Sequence, residues 1–447
     1  MALMRRILQA VAAVAALAMA AAPAQARGLI RDAEVEGVLR DMSEPILRAA
    51  GMRPDSLRLF ILNDPALNAF VFDGRSMVIH TGLLRRFDDP DTITGVIAHE
   101  TGHLVGGHLA RRAANMDRLS LASALTMAAA IAAAAASGET QAGAAVAMGG
   151  RETLRRAFLA YSRGEEAAAD QSGVDFMTRA GVNPEGLLGV LRVFQGQEVF
   201  SASRIDPYAQ THPLSSERIQ LLERRVRESP AYGAPPDPAM LRRYARAQAK
   251  LDGFLERPER VLERLKLEED PGSAPNRYRR AIALFRMAQT DAALDVLDGL
   301  LREEPDDPYY WELRGQILLE SNRAADAVAP YRRAVSLVPD APLIAGGLGR
   351  ALLAAGQDAE ALRTLERASR DDPGDARILR DLAIAYARAG RDGEAALATA
   401  ERLALQGDFE DAGLQARRAM AQLPAGSPAW LRAQDVETLA EFERKDD

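Results

Sequence analysis

His99-Glu100-Thr101-Gly102-His103, followed 63 residues after its last histidine by Glu166-Ala167-Ala168-Ala169-Asp170, is the pair of segments from which this chain is best understood. On an α-helix two histidines four residues apart sit about 40° apart around the axis, so both imidazoles reach one metal ion while Glu100 flanks the open coordination position. That is the pattern of a hydrolytic zinc site. Zinc held by three protein ligands keeps a fourth position for water, lowers that water's pKa to about 7, and needs a nearby carboxylate to take the proton. Glu100 is the natural base, and one Zn2+ per chain is expected.

The third ligand decides the class of site. A metzincin would carry a glycine seven and a histidine ten positions after the first histidine; Gly106 fits, but position 109 is leucine. His108, nine residues from His99, lies about 180° round a continued helix and would face away from the metal. A downstream acid must therefore close the site. Glu166 is the best choice, because Asp170 stands one helical turn later, where it can accept the free N–H of a ligating histidine and fix its tautomer. Glu165 has no such partner, since position 169 is alanine. His80 and His108 are read as structural, neither sharing a face with the motif.

At 447 residues the chain is too long for one ordinary domain. It opens with Arg5-Arg6, an alanine-rich apolar stretch from Ile7 to about Ala22, and Ala24-Gln25-Ala26, which together describe a signal peptide over residues 1–26. Without that segment, 54 basic residues face 63 acidic ones, a formal charge of −9. An acidic chain with no lysine or arginine run is a poor partner for nucleic acid. The absence of cysteine excludes disulfides and thiol catalysis.

Residues 31–50 carry Val35, Val38, Leu39, Met42 and Ile46 at helical spacing. The period then changes to two, and Leu57–Leu62, Leu67–Phe72 and Ser76–His80 read as strands, the last pair joined at Asp73-Gly74. The metal helix is expected over Asp91–Ala110, and a second long helix over Arg151–Ala180, ended by Gly181 and Pro184. Between them, Leu119–Ala136 is an uncharged, alanine-dominated run of 18 residues. Alanine contributes little to insertion, so a mobile helix with peripheral membrane contact is expected there rather than a span. After a helix over Pro184–Glu198, a polar loop holds His212-Pro213. The rigid proline peptide can hold His212 near the metal, either to donate to a developing oxyanion or to ligate the metal and close it. Arg218 is placed to meet a substrate carbonyl or a carboxylate.

Pro235-Pro236 marks a domain boundary, after which Pro305, Pro339 and Pro373 recur at intervals of 34 residues, the tetratricopeptide period. In that register Trp311, Gly315, Gly349, Tyr331, and Ala293, Ala327, Ala361 and Ala395 fall where paired helices need small residues or an aromatic filler. Ala412 and Pro424 continue the pattern 17 residues out of step, so the last helices read as a cap. The expected division is a peptidase domain at 27–235, connecting helices at 236–272, repeats at 273–426 and a tail at 427–447.

The run Asn68-Ala69-Phe70, then Thr81-Gly82-Leu83-Leu84, the His-Glu-Thr-Gly-His helix, Tyr161-Ser162-Arg163-Gly164-Glu165-Glu166 with Ala169-Asp170, and Thr211-His212-Pro213 with Arg218-Ile219 resemble the HtpX/BepA-like zinc metallopeptidases over about residues 30–230. The repeat tail is similar to the periplasmic BepA-like branch. That family usually has a second glutamate where this chain has Ala168, a position not expected to ligate. The resemblance implies a mainly α fold with a small β-sheet, a gluzincin-type metallopeptidase domain followed by an α-helical tetratricopeptide solenoid. It also implies that Asn68, Ala69 and Phe70 bind an extended substrate by strand addition. The function it implies is a periplasmic zinc endopeptidase in quality control of outer-membrane proteins. Stalled or misfolded proteins would be its substrates, and an outer-membrane assembly machine a partner of the repeats. Because stacked helix pairs bind polypeptide without chemistry of their own, a chaperone or adaptor with a latent protease is the alternative.

Overall fold

The computed structural model describes residues 28–108, 163–198, 212 and 216–446. The expected signal peptide, the run Leu119–Ala136 and Pro213 lie outside them. Of the described residues, those up to Glu36 group with Ala245 onward in one compact unit, and Gly37–Tyr244 form the other.

A two-residue strand β1 (Leu29–Ile30) precedes helix α1 (Ala33–Ala49), whose first turn is capped by Asp32 Oδ1 accepting from the Glu34 and Val35 N–H groups. The apolar residues that predicted this helix are all buried. Within the unit Gly37–Tyr244, strand β4 (Ser76–His80) lies between β2 (Arg58–Leu62), which it pairs in parallel, and β3 (Ala69–Asp73), which it pairs antiparallel. Burial on both sides explains the unbroken Met77-Val78-Ile79 run at the centre of β4, all fully buried.

Helix α2 (Thr81–Arg86) leads into the metal helix α3 (Pro90–Val105). Pro90 sits in its first turn and Asp89 accepts from Asp91 N–H, a strong start signal. The helix is apolar around most of its circumference and runs through the core, with Ile93, Val96, Ile97 and Ala98 fully buried. It ends five residues earlier than its periodicity suggested, because Gly106-Gly107 follows and Gly107 takes a left-handed φ of 63°. Residues 163–180 form helix α4, which Gly181 terminates at φ 72°. Helices α5 (Glu185–Glu198) and α6 (Ser216–Glu228) complete this part of the unit.

In the other unit, beyond α7 (Pro238–Leu255) and α8 (Pro258–Leu265), helix pairs begin at Ala274, Pro308, Pro342 and Ala376, 34 residues apart. Gly315 and Gly349 admit the facing helix, since a Cβ would stand 2.6 Å from Tyr331 and 2.4 Å from Leu365. Ala293, Ala327 and Ala361 are fully buried, while Ala395 is only partly so. Two expectations are corrected here. The next helix starts at Phe409, so the rhythm continues instead of slipping by half a unit. Residues 428–446 are no tail but a helix packed on Phe409–Gln422. Alanine-rich faces in both helices of a pair make the residue pattern alone ambiguous about which helix is which.

The close crossing of α3 and α4 rests on Gly102, where a Cβ would stand 2.8 Å from the Ala169 carbonyl oxygen, a backbone atom that cannot swing aside. Gly102→Ala should therefore lower stability in denaturant melts by about 1–3 kcal/mol. Gly164→Ala, whose Cβ meets nothing within 4 Å, should be neutral or slightly stabilising. Coincident midpoints for the two variants would show that the crossing tolerates a side chain.

Candidate metal centre

Helix α3 presents His99 and His103 one turn apart on one face, and α4 crosses it with Glu166 and Asp170 one turn apart on its own. Their ligand atoms converge. The two Nε2 atoms are 3.1 Å apart, and Glu166 lies 3.4 Å from each through its two oxygens. His212 Nδ1 joins them, 3.3 Å from His99 Nε2 and 2.9 Å from Glu166 Oε2. All four side chains are buried, their ligand atoms within 4.8 Å of one another.

Five of the six separations in this group thus fall between 2.9 and 3.4 Å. A tetrahedral zinc with bonds of about 2.0–2.1 Å would set its ligand atoms about 3.3 Å apart. The donors also fit chemically. His99 Nδ1 is 3.0 Å from Asp170 Oδ1 and His103 Nδ1 is 2.8 Å from His108 Nδ1, so each ring has a partner on its far side while its Nε2 faces the group.

The electrostatics follow from burial opposed by these contacts. Burial works to lower the His99 pKa, but Asp170 and Glu166 outweigh it and hold it at about 9. Burial pushes His103 down to about 3. Burial would raise Glu166, yet hydrogen bonds to His103, His212 and His99 hold it well below the usual carboxylate range. Asp170 is likewise kept low against burial, first by the Arg218 guanidinium and then by His99.

Glu100, fully buried, has its pKa raised by burial, which His212 and His99 only partly oppose. Its Oε2 accepts the Val71 N–H at 3.2 Å and its Oε1 lies 3.4 Å from His212 Nε2. Strand β3 is therefore against the carboxylate. The His80 N–H donates to Asn68 O, so alternation turns Asn68 and Phe70 toward β4 and leaves Ala69 and Val71 with backbone groups on the opposite edge. Among the described residues no strand pairs with that edge.

Arg218 meets carboxylates: Nε and Nη2 hold Asp170 at 2.6 and 2.9 Å, and Nη1 lies 3.2 Å from Glu166. Glu165, also buried, is not in the donor group, and His80 lies in the sheet beside Phe70 and 3.8 Å from Asp64. His108 departs from expectation. It packs against His103 instead of facing away, because the helix stops before reaching it. The terminating Gly106-Gly107 pair was the available signal. The Val71 contact had no signal in sequence, since it depends on how β3 is laid across α3.

Comparison with known proteins agrees with this architecture. The model of Peptidase family M48 matches residues 30–226, and tetratricopeptide-repeat models match residues 278–342 and 318–380. The beta-barrel assembly-enhancing protease of Yersinia pestis is 26% identical over 321 residues, 71% of this chain and 65% of that protein. Its counterpart in Escherichia coli (strain K12) is 27% identical over 315 residues, 69% of this chain and 63% of that protein. The mitochondrial metalloendopeptidase OMA1 of Schizosaccharomyces pombe is 27% identical over 185 residues, 41% of this chain and 51% of that protein. The chain therefore spans just under two thirds of the length of the first two relatives.

Because His99 titrates at about 9 in the metal-free site, zinc must displace a proton from it at neutral pH. Apparent zinc affinity, measured by chelator competition, should rise about tenfold per pH unit between about pH 7 and about pH 8.5. An affinity independent of pH over that range would contradict the assigned proton.

Proposed function

A zinc-metallopeptidase domain of family M48 over residues 30–226, followed by tetratricopeptide repeats, is the premise from which we propose that the whole chain is an exported zinc-dependent endopeptidase. His99, His103 and Glu166 hold the metal, Asp170 orients His99, and Arg218 holds Asp170 and Glu166 in place. Zinc, when bound, polarises the scissile carbonyl and acidifies the attacking water. Glu100 takes the proton, a task suited to a carboxyl whose pKa burial has raised.

One observation carries this reading: the Glu100 carboxylate touches the donor group through His212 and the unpaired edge of β3 through the Val71 N–H. A substrate added as a strand along that edge, against Ala69 and Val71 with Asn68 and Phe70 anchoring β3 from the other side, would bring its backbone to the base. The relatives' name, beta-barrel assembly-enhancing protease, supports a role in quality control of outer-membrane or periplasmic proteins, with the repeats binding clients or an assembly partner. The signal-peptide pattern supports a periplasmic location. Among the described residues no helix is long and apolar enough to cross a membrane.

The alternative of a chaperone or adaptor with a latent protease has its own support. His212 Nδ1 stands among the metal ligands, and in the fourth position it would exclude the attacking water. Glu100→Gln should retain full zinc and lose casein hydrolysis, because it removes the base and no ligand. His212→Ala should raise basal hydrolysis at equal zinc content if the imidazole closes the site, or lower kcat about 10²- to 10³-fold if it donates to the oxyanion. A Glu100→Gln protein that still cleaves casein would reject the assigned base, and unchanged turnover in His212→Ala would reject both roles of that histidine.

A further inference from the structure

Each ligating histidine needs its second nitrogen held, or the ring can rotate and the wrong tautomer can form. For His99 the partner is Asp170, legible from its spacing. For His103 no carboxylate is available: the donor group takes Glu166, and Asp170 is shared between His99 and Arg218.

We infer that His108 is the positioning residue for His103, its Nδ1 accepting the hydrogen on His103 Nδ1 so that the His103 Nε2 lone pair stays turned toward His99 and Glu166. The inference rests on the zinc reading above. The two Nδ1 atoms are 2.8 Å apart, the rings meet edge to face with centroids 4.9 Å apart at 80°, and His108 is 3% exposed. His103 Nε2 must carry its lone pair to ligate, which puts its hydrogen on Nδ1. A hydrogen bond between the two Nδ1 atoms then requires His108 to accept, so its own hydrogen is on Nε2.

The backbone is shaped for this contact. Helix α3 stops at Val105, Gly106 keeps an ordinary helical φ of −66°, and Gly107 turns the chain at φ 63°. The ring of His108 then lies on the bare Cα of Gly106. A Cβ there would stand 2.4 Å from His108 Nε2, 2.8 Å from Cδ2 and 2.9 Å from Cε1. Because the Gly106 φ suits any residue, its lack of a side chain serves the histidine ring and not the backbone. A continued helix would have carried His108 to the far side of α3.

The two ligands are thus backed unequally, His99 by a carboxylate and His103 by a neutral imidazole, which accepts a hydrogen bond less strongly. The contact could also be mere packing, and the test separates the two. Zinc affinity by chelator competition and the visible absorption of the cobalt-substituted site are measured on the wild-type chain, His108→Leu, His108→Asn and Gly106→Ala. Leucine keeps the bulk without an acceptor, asparagine restores an acceptor oxygen near the Nδ1 position, and Gly106→Ala leaves the histidine but denies its ring a seat. Zinc affinity should fall about 10- to 100-fold in His108→Leu and Gly106→Ala, with an altered cobalt spectrum, and His108→Asn should recover most of both. Wild-type affinity and spectrum in His108→Leu would overturn the assignment, as would His108→Asn behaving like His108→Leu. If His108→Leu fails to fold by circular dichroism, His108→Asn binding more tightly than Gly106→Ala supports the assignment and the reverse order overturns it. A wild-type chain that takes up no zinc would overturn the metal reading and this one with it.

Discussion

Lone pairs buried within hydrogen-bond distance of one another repel unless a proton or a cation lies among them, and that constraint organises the unit Gly37–Tyr244. Two imidazole Nε2 atoms, a third imidazole nitrogen and a carboxylate are turned toward one point in a region that admits almost no water. Burying such a group uncompensated costs several kcal/mol. Every neighbouring element can be understood by what it does for that group. Asp170 and His108 hold the far sides of the ligating rings, and Arg218 compensates the two carboxylates of α4 with three of its own contacts. With a cation present the same contacts become cooperative, since each partner makes its ligand a better donor.

Holding four donors to such spacing requires that the helices carrying them approach by backbone, because side chains between them would act as spacers with rotameric slack. The glycines at the crossings serve this. Gly102 on α3 meets the Ala169 backbone, Gly173 on α4 faces His99 N, and Gly95 and Gly186 bring α3 against the start of α5. The small residues between and around the histidines are therefore part of the site's geometry. Alanine at position 169 places the α4 backbone, one residue from Asp170, directly over the motif.

What could be read from the sequence is what short-range spacing determines. His99 with His103 and Glu166 with Asp170 are each one helical turn apart, so their facing follows from helix geometry alone. The repeats were legible for a related reason: the same local rule is applied several times, and the 34-residue interval recurs in the helix starts. Readings failed where a local period was carried past its end. His108 was placed by continuing a helix that Gly106-Gly107 stops, and the last pair of repeat helices was misread because alanine and proline spacing does not distinguish the two helices of a pair. Arg218 and Val71 were beyond reach in a different way. Which of two chemically sensible partners Arg218 takes depends on how α6 docks on α4, and nothing in the local pattern of α6 encodes that.

The position of His212 links access and chemistry through one side chain. One ring nitrogen is among the metal ligands and the other is 3.4 Å from the base Glu100. On the proposed reading, an imidazole in that place both fills the position that water needs and stands beside the carboxylate that would take the proton. Opening the site would therefore change two things together: a coordination position becomes available, and Glu100 loses a cationic neighbour that works against its raised pKa. A base freed of that neighbour is a stronger one. The Val71 N–H bond to Glu100 opposes this, since it favours the charged form and keeps the carboxylate turned toward β3. A strand laid along the β3 edge would meet that same N–H. Substrate docking and the readiness of the base are thus coupled through a single backbone group, without any need for the repeats to touch the site.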